Sequence, residues 1–145
     1  MLTVWITGAS SGIGEACAYK YAAEGARVIL TSSSVERLEV VAARCREKGA
    51  ESVTVLAYDL SSLDGINTLT DKAWEAAEGI DIVMLNAGIS QRTNVEDTSM
   101  EMVRKIMEIN YFAPVAIAKR LLPKMVARGG GKMAVTTSIA GRFGF

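Results

Sequence analysis

The sequence predicts an α/β fold: a doubly wound parallel sheet in a single domain covering residues 1–145. Three observations carry that expectation. Short apolar, β-branched runs alternate with helical patterns from one end to the other. Half of the residues are hydrophobic, as suits strands covered on both faces. The first apolar run breaks directly into a turn with three glycines, followed by an alanine-rich stretch that favours helix.

Val4-Trp5-Ile6 reads as the first strand and Gly8-Ala9-Ser10-Ser11-Gly12-Ile13-Gly14 as its turn, with a helix from about Glu15 to Glu24. Strand, glycine turn and helix aim unpaired N–H groups at a bound phosphate. The glycines serve a tight turn, close backbone approach to the phosphate and close packing of helix on strand. Ser10 and Ser11 add hydroxyls. The spacing is not G-x-G-x-x-G, and no Gly-Lys-Ser/Thr follows, which disfavours an NTPase loop.

Ala26–Thr31 is the second predicted strand. Ser32-Ser33-Ser34 supplies turn and N-cap chemistry for a helix from about Val35 to Lys48, ended by Gly49. Ser52–Tyr58 is the third strand. Asp59-Leu60 follows it, ahead of a helix with Ile66, Leu69, Ala73 and Ala76 at helical spacing. The fourth strand, Ile82–Leu85, runs into Asn86-Ala87-Gly88 and a polar loop to Asp97. Thr98 with Glu101 reads as a capping box opening a long helix to about Val126, kinked at Pro114 and bent by Pro123. Gly129-Gly130-Gly131 breaks the chain before a fifth strand, Met133–Thr137. Right-handed crossovers then place helices on both faces, with ligands at the carboxyl ends of the strands.

Composition removes several classes of function. Sixteen basic and sixteen acidic residues cancel, so nothing points to nucleic acid or an anionic lipid surface. No apolar run approaches a membrane span of ~20 residues, and no signal peptide is expected ahead of the first strand. Cys17 and Cys45 lack C-x-x-C spacing and read as free thiols in a reducing compartment, which sets the expected location as cytoplasmic. The sequence has no histidine, so Ser-His-Asp and Cys-His catalysis and histidine metal sites are excluded, and no metal is expected.

The motifs Thr7-Gly8-Ala9-Ser10-Ser11-Gly12-Ile13-Gly14, Asp59-Leu60, Asn86-Ala87-Gly88, Ile109-Asn110-Tyr111 and Ser138-Ile139-Ala140-Gly141 together resemble the short-chain dehydrogenase/reductase family. The resemblance covers the whole chain and implies a Rossmann-like sheet, here incomplete, of five strands in the order 3-2-1-4-5. It implies that Gly8, Ser10, Ser11, Gly12, Ile13 and Gly14 bind the pyrophosphate and adjacent ribose of a nicotinamide cofactor. Asp59 would bond the adenine amino group, with Leu60 beside the ring. Asn86, Ala87 and Gly88 would pack along the cofactor. Ser138 matches the serine that bonds the substrate carbonyl or hydroxyl, and Asn110 the asparagine that holds a proton-relay water. Taken alone, Asp59 fits a helix N-cap equally well, Asn110 an exposed helix position and Ser138 a turn serine.

The sequence departs from the family pattern in two places. Leu85 stands where members often carry a first asparagine. Only seven residues follow Ser138, and none is Tyr or Lys, whereas the family serine precedes a Tyr-x-x-x-Lys segment holding the general acid and the lysine that tunes it. The expectation is a chain that stops before that segment, lacks the family's last two strands and is inactive alone. An alternative is a non-catalytic fragment that binds nucleotide or a partner. An acidic residue closing the second strand would mark NAD, but Thr31, Ser32, Ser33 and Ser34 stand there, so NADP is favoured over NAD, with Ser32 and Ser33 at its ribose. The expected partners are a small carbonyl or alcohol substrate and, through the fifth strand's open edge, a second copy of the chain.

Overall fold

Five parallel strands alternate with helices in the computed structural model, which describes residues 1–142. The last three residues of the predicted domain, 143–145, lie outside the described residues. The strands are β1 (Thr3–Thr7), β2 (Arg27–Thr31), β3 (Ser52–Val55), β4 (Ile82–Leu85) and β5 (Lys132–Val135), in the sheet order β3-β2-β1-β4-β5. The predicted order is therefore the observed one. β1 sits at the centre, paired Val4 to Val28 on one side and Val4 to Ile82 on the other, and all five of its residues are buried.

Alternating side chains of β1 feed two cores. Val4 and Ile6 join Ala18, Ala22, Leu38, Val41 and Cys45 beneath α1 (Gly12–Ala23) and α2 (Val35–Glu47). Trp5 points the other way, among Leu69, Ala73, Ile117 and Leu121 of α3 (Ile66–Ala76) and α5 (Ala113–Ala127). Each helix contributes residues three or four apart, so one stripe is apolar and the sheet is covered on both faces.

Four boundaries move, each for a local reason. α1 begins at Gly12 rather than near Glu15, so two of the three glycines belong to its first turn. β3 stops at Val55, although Leu56 and Tyr58 still donate their N–H groups to Leu30 and Ser32 carbonyls at 2.9 Å each. β5 likewise ends at Val135, with the Thr136 N–H continuing to the Leu85 carbonyl at 3.1 Å.

The fourth is the predicted Thr98 capping box, which does not form. Ser99 caps α4 (Met100–Met107) by accepting from the Met102 N–H at 3.2 Å, one residue later than expected, while the Thr98 hydroxyl donates back to the Asn94 carbonyl at 2.8 Å. The long helix is interrupted by a π-helical turn at Glu108–Phe112, where the Ala113 N–H bonds the Glu108 carbonyl. Pro114 has no N–H to offer Asn110 in the α-helical register, which explains the wider turn at this point.

Candidate functional site

At the carboxyl edge of the sheet a cleft of about 800 Å³ runs from the end of β3, across β1, to the end of β5. It is lined by Gly8, Ser10, Ser11, Ile13, Ser32, Ser33, Asp59, Leu60, Asn86, Ala87, Gly88, Asn110 and Ser138. Those are the residues singled out from the sequence, with Gly12 and Gly14 the exceptions.

The glycine turn is shaped by backbone sterics. Gly8 and Gly12 hold φ of +67° and +59°, in the left-handed region that side chains rarely adopt. A Cβ on Gly14 would strike the Gly8 carbonyl oxygen and lie 2.8 Å from the Asn86 amide nitrogen, so Gly14 is the contact by which α1 seats on the sheet. At Gly12 a Cβ would meet nothing within 4 Å and project into open space. Ser11 stands before α1 in extended backbone and makes no side-chain cap, so the first-turn N–H groups have neither a cap nor a helical partner. That combination favours an anionic group over the turn.

Thr7 is the residue that sequence reasoning missed. Its hydroxyl accepts from the Asn86 and Ala87 N–H groups at 3.1 and 3.2 Å and reaches the Met84 carbonyl at 3.3 Å. The Asn86 amide nitrogen turns back to the Thr7 and Gly8 carbonyls, while its oxygen accepts from the Thr136 hydroxyl at 2.9 Å. Thr7 and Asn86 thus lock the ends of β1, β4 and β5 together below the cleft. A strand-end threonine carries no sequence signal for this, because the role depends on a neighbour 79 residues away.

The Asp59 carboxylate accepts from the Ser61 N–H at 2.9 Å, which holds it below the usual carboxylate range and therefore charged. It is not a helix cap, since α3 begins only at Ile66. Asn110 lies in the π turn, and its side-chain amide brackets one residue, Ile89: Oδ1 accepts from the Ile89 N–H at 2.9 Å and Nδ2 donates to the Ile89 carbonyl at 2.8 Å. Ser138 is exposed and caps the short 3₁₀ turn Ile139–Gly141, accepting from the Ala140 N–H at 3.1 Å. Among the described residues, no histidine, lysine or carboxylate other than Asp59 lines the cleft.

The family model for short chain dehydrogenases matches residues 2–145. The chain belongs to the short-chain dehydrogenase/reductase family. Dehydrogenase/reductase SDR family member 7 of Homo sapiens is 38% identical over 143 residues, covering 97% of this chain and 42% of the relative. A Drosophila melanogaster protein named as SDR family protein 7-like is also 38% identical, over 97% of this chain and 44% of its own length. The chain therefore spans less than half the length of these curated relatives. A metagenomic short-chain oxidoreductase solved with NADP superposes with a TM-score of 0.93 at 29% identity, covering 99% of this chain and 65% of that one. L-sorbose reductase from Gluconobacter frateurii, solved with NADPH and L-sorbose, gives 0.90 at 33% identity, covering 97% of this chain and 54% of the other. The cleft opens at the carboxyl ends of the strands.

Proposed function

We propose that residues 1–145 bind NAD(P) and form the cofactor-binding portion of an oxidoreductase that interconverts a carbonyl and an alcohol. The observation that carries this reading is the continuity of the cleft, which joins the glycine turn, the Asp59 loop and Ser138 in one space. When bound, the nicotinamide supplies or accepts the hydride. The first turn of α1 with Ser10 and Ser11 would hold the pyrophosphate, and Asp59 and Leu60 the adenine. Ser138 would bond the substrate oxygen, and Asn110 fixes Ile89 at the wall between them.

NADP is the preferred cofactor in this reading. Ser32 and Ser33 line the cleft at the end of β2, and no carboxylate stands among residues 31–34 to repel a 2′-phosphate. Calorimetric titration of the 145-residue chain with NADP and NAD tests it. NADP should bind at least as tightly, and Ser33→Asp should shift preference toward NAD. Folded protein that binds neither overturns the cofactor reading; tenfold tighter NAD, ~1.4 kcal/mol, overturns the preference alone.

Turnover is not expected of these 145 residues by themselves. A positioned acid contributes on the order of 10²–10⁴-fold, and among the described residues no lysine or histidine lines the cleft with Ser138. NADPH oxidation with a panel of aldehydes and ketones should stay at background. We further infer a reducing compartment from two free cysteines, Cys45 being buried with its thiol pushed up to about 11. Self-association through the exposed edge of β5 would show as dimer or larger species in light scattering.

A further inference from the structure

Tyr58 stands at the adenine end of the cleft and has no part in the chemistry above. Its backbone N–H donates to the Ser32 carbonyl at 2.9 Å, tying it to the serine loop at the end of β2. Its hydroxyl proton is shared between the carbonyls of Ser62, at 2.9 Å, and Asp64. Within residues 59–64 the polar bonds are local: the Ser61 N–H to the Asp59 carboxylate at 2.9 Å and the Asp64 N–H to the Ser62 hydroxyl at 3.2 Å. Asx and serine turns of this kind are weak alone and do not fix where a loop sits on the sheet. Leu60, 6% exposed in the core, pins the near end of the loop, and the Tyr58 hydroxyl, bonded to the Ser62 and Asp64 carbonyls, ties down the far end.

We propose that Tyr58 is a positioning residue for base recognition, holding the 59–64 loop so that Asp59 and Leu60 meet an adenine ring rather than another purine. The proposal rests on the dinucleotide reading of this cleft. Burial, with Asp64 and Asp59 nearby, raises the hydroxyl's pKa, so it stays a donor across the working pH range. A carboxylate favours the adenine amino group and disfavours the oxo group of hypoxanthine, so base preference reports how well Asp59 is placed. An unanchored loop would have to be ordered by the ligand itself, which weakens binding and blunts discrimination.

The test titrates NADP and its hypoxanthine analogue into the wild-type 145-residue chain, Tyr58→Phe, Asp59→Ala and the double variant. Wild type should prefer adenine by at least about tenfold. Tyr58→Phe should weaken NADP about tenfold and the analogue less than threefold, collapsing the preference. In the Asp59→Ala background the tyrosine change should have no further effect on preference, which a general loss of stability would not produce. Equal weakening for both ligands, or none, overturns the proposal. Wild type that binds NADP without base preference overturns it too, while leaving the dinucleotide reading in place. Wild type that is folded and binds neither ligand overturns both.

Discussion

The two walls of the cleft are built differently. The wall formed by β1, β2 and α1 is anchored in buried structure: every residue of β1 is covered, and Trp5 donates from Nε1 to the Thr31 hydroxyl at 2.9 Å, fully inside. The Thr31 carbonyl in turn accepts from the Ala9 N–H at 3.1 Å, so the glycine turn hangs directly on that pair. The opposite wall is exposed. β5 buries none of its four residues, Val135 is 55% exposed and Ile139 65%. The helix behind it is tied to α3 by ion pairs at the surface, Arg120 and Lys124 to Asp71 at 2.7 and 3.1 Å. The glycine-turn end is preorganised by packing, whereas Ser138 depends on local turn bonds.

Substitutions of the same kind on the two walls should therefore differ sharply. The largest expected effect is Gly14→Ala. Its methyl would enter the Gly8 carbonyl and the Asn86 amide, costing about 3 kcal/mol by chemical denaturation and abolishing NADP binding. Gly141→Ala is the control on the other wall, where a Cβ meets nothing within 4 Å, and should stay within about 0.5 kcal/mol. Equal losses at the two positions would erase the distinction.

Next in size is Trp5→Phe, which removes buried volume and strands the Thr31 hydroxyl. It should cost about 2 kcal/mol in urea melts. Because Thr31 holds Ala9, NADP affinity should fall as well. Thr7→Val keeps the shape of the side chain but leaves the Asn86 and Ala87 N–H groups without their acceptor, for about 1–2 kcal/mol. Its amide exchange should rise at residues 86 and 87 and not along β2.

The smallest effect is reserved for Asp71. Hydrogen bonds from Arg120 and Lys124 lower its pKa from 3.8 to about 2. A folded-state value below the unfolded one gives stability that is present above about pH 4 and lost as pH falls toward 2. Asp71→Asn should flatten that acid limb and slightly lower the melting temperature at neutral pH, an effect that shrinks in high salt because the pair is exposed. An effect as large as that of Gly14→Ala would mean that the ion pairs, not the buried wall, hold the fold.

By itself the sequence determined the fold class and the number and order of the strands, but it read one long helix where a π turn divides α4 from α5. Strands as apolar as Val28–Leu30 between helices with one apolar stripe leave a parallel sheet covered on both faces as the stable arrangement. It also marked the cleft residues, because a left-handed turn at Gly8 and close packing at Gly14 require glycine. The sequence did not show which polar side chains serve as partners. Asn110 is exposed in a π turn and bonds Ile89, a partner that spacing along the chain does not reveal, and the cap falls on Ser99, one residue after Thr98. Thr7, Trp5 and Tyr58 matter through partners that only folding supplies: two backbone amides on β4's far end, a hydroxyl on β2, and a loop closed from inside. Periodicity reads burial, which is averaged over many weak contacts and survives small shifts. A hydrogen bond is decided within a few tenths of an ångström, and those distances exist only once the strands are in register.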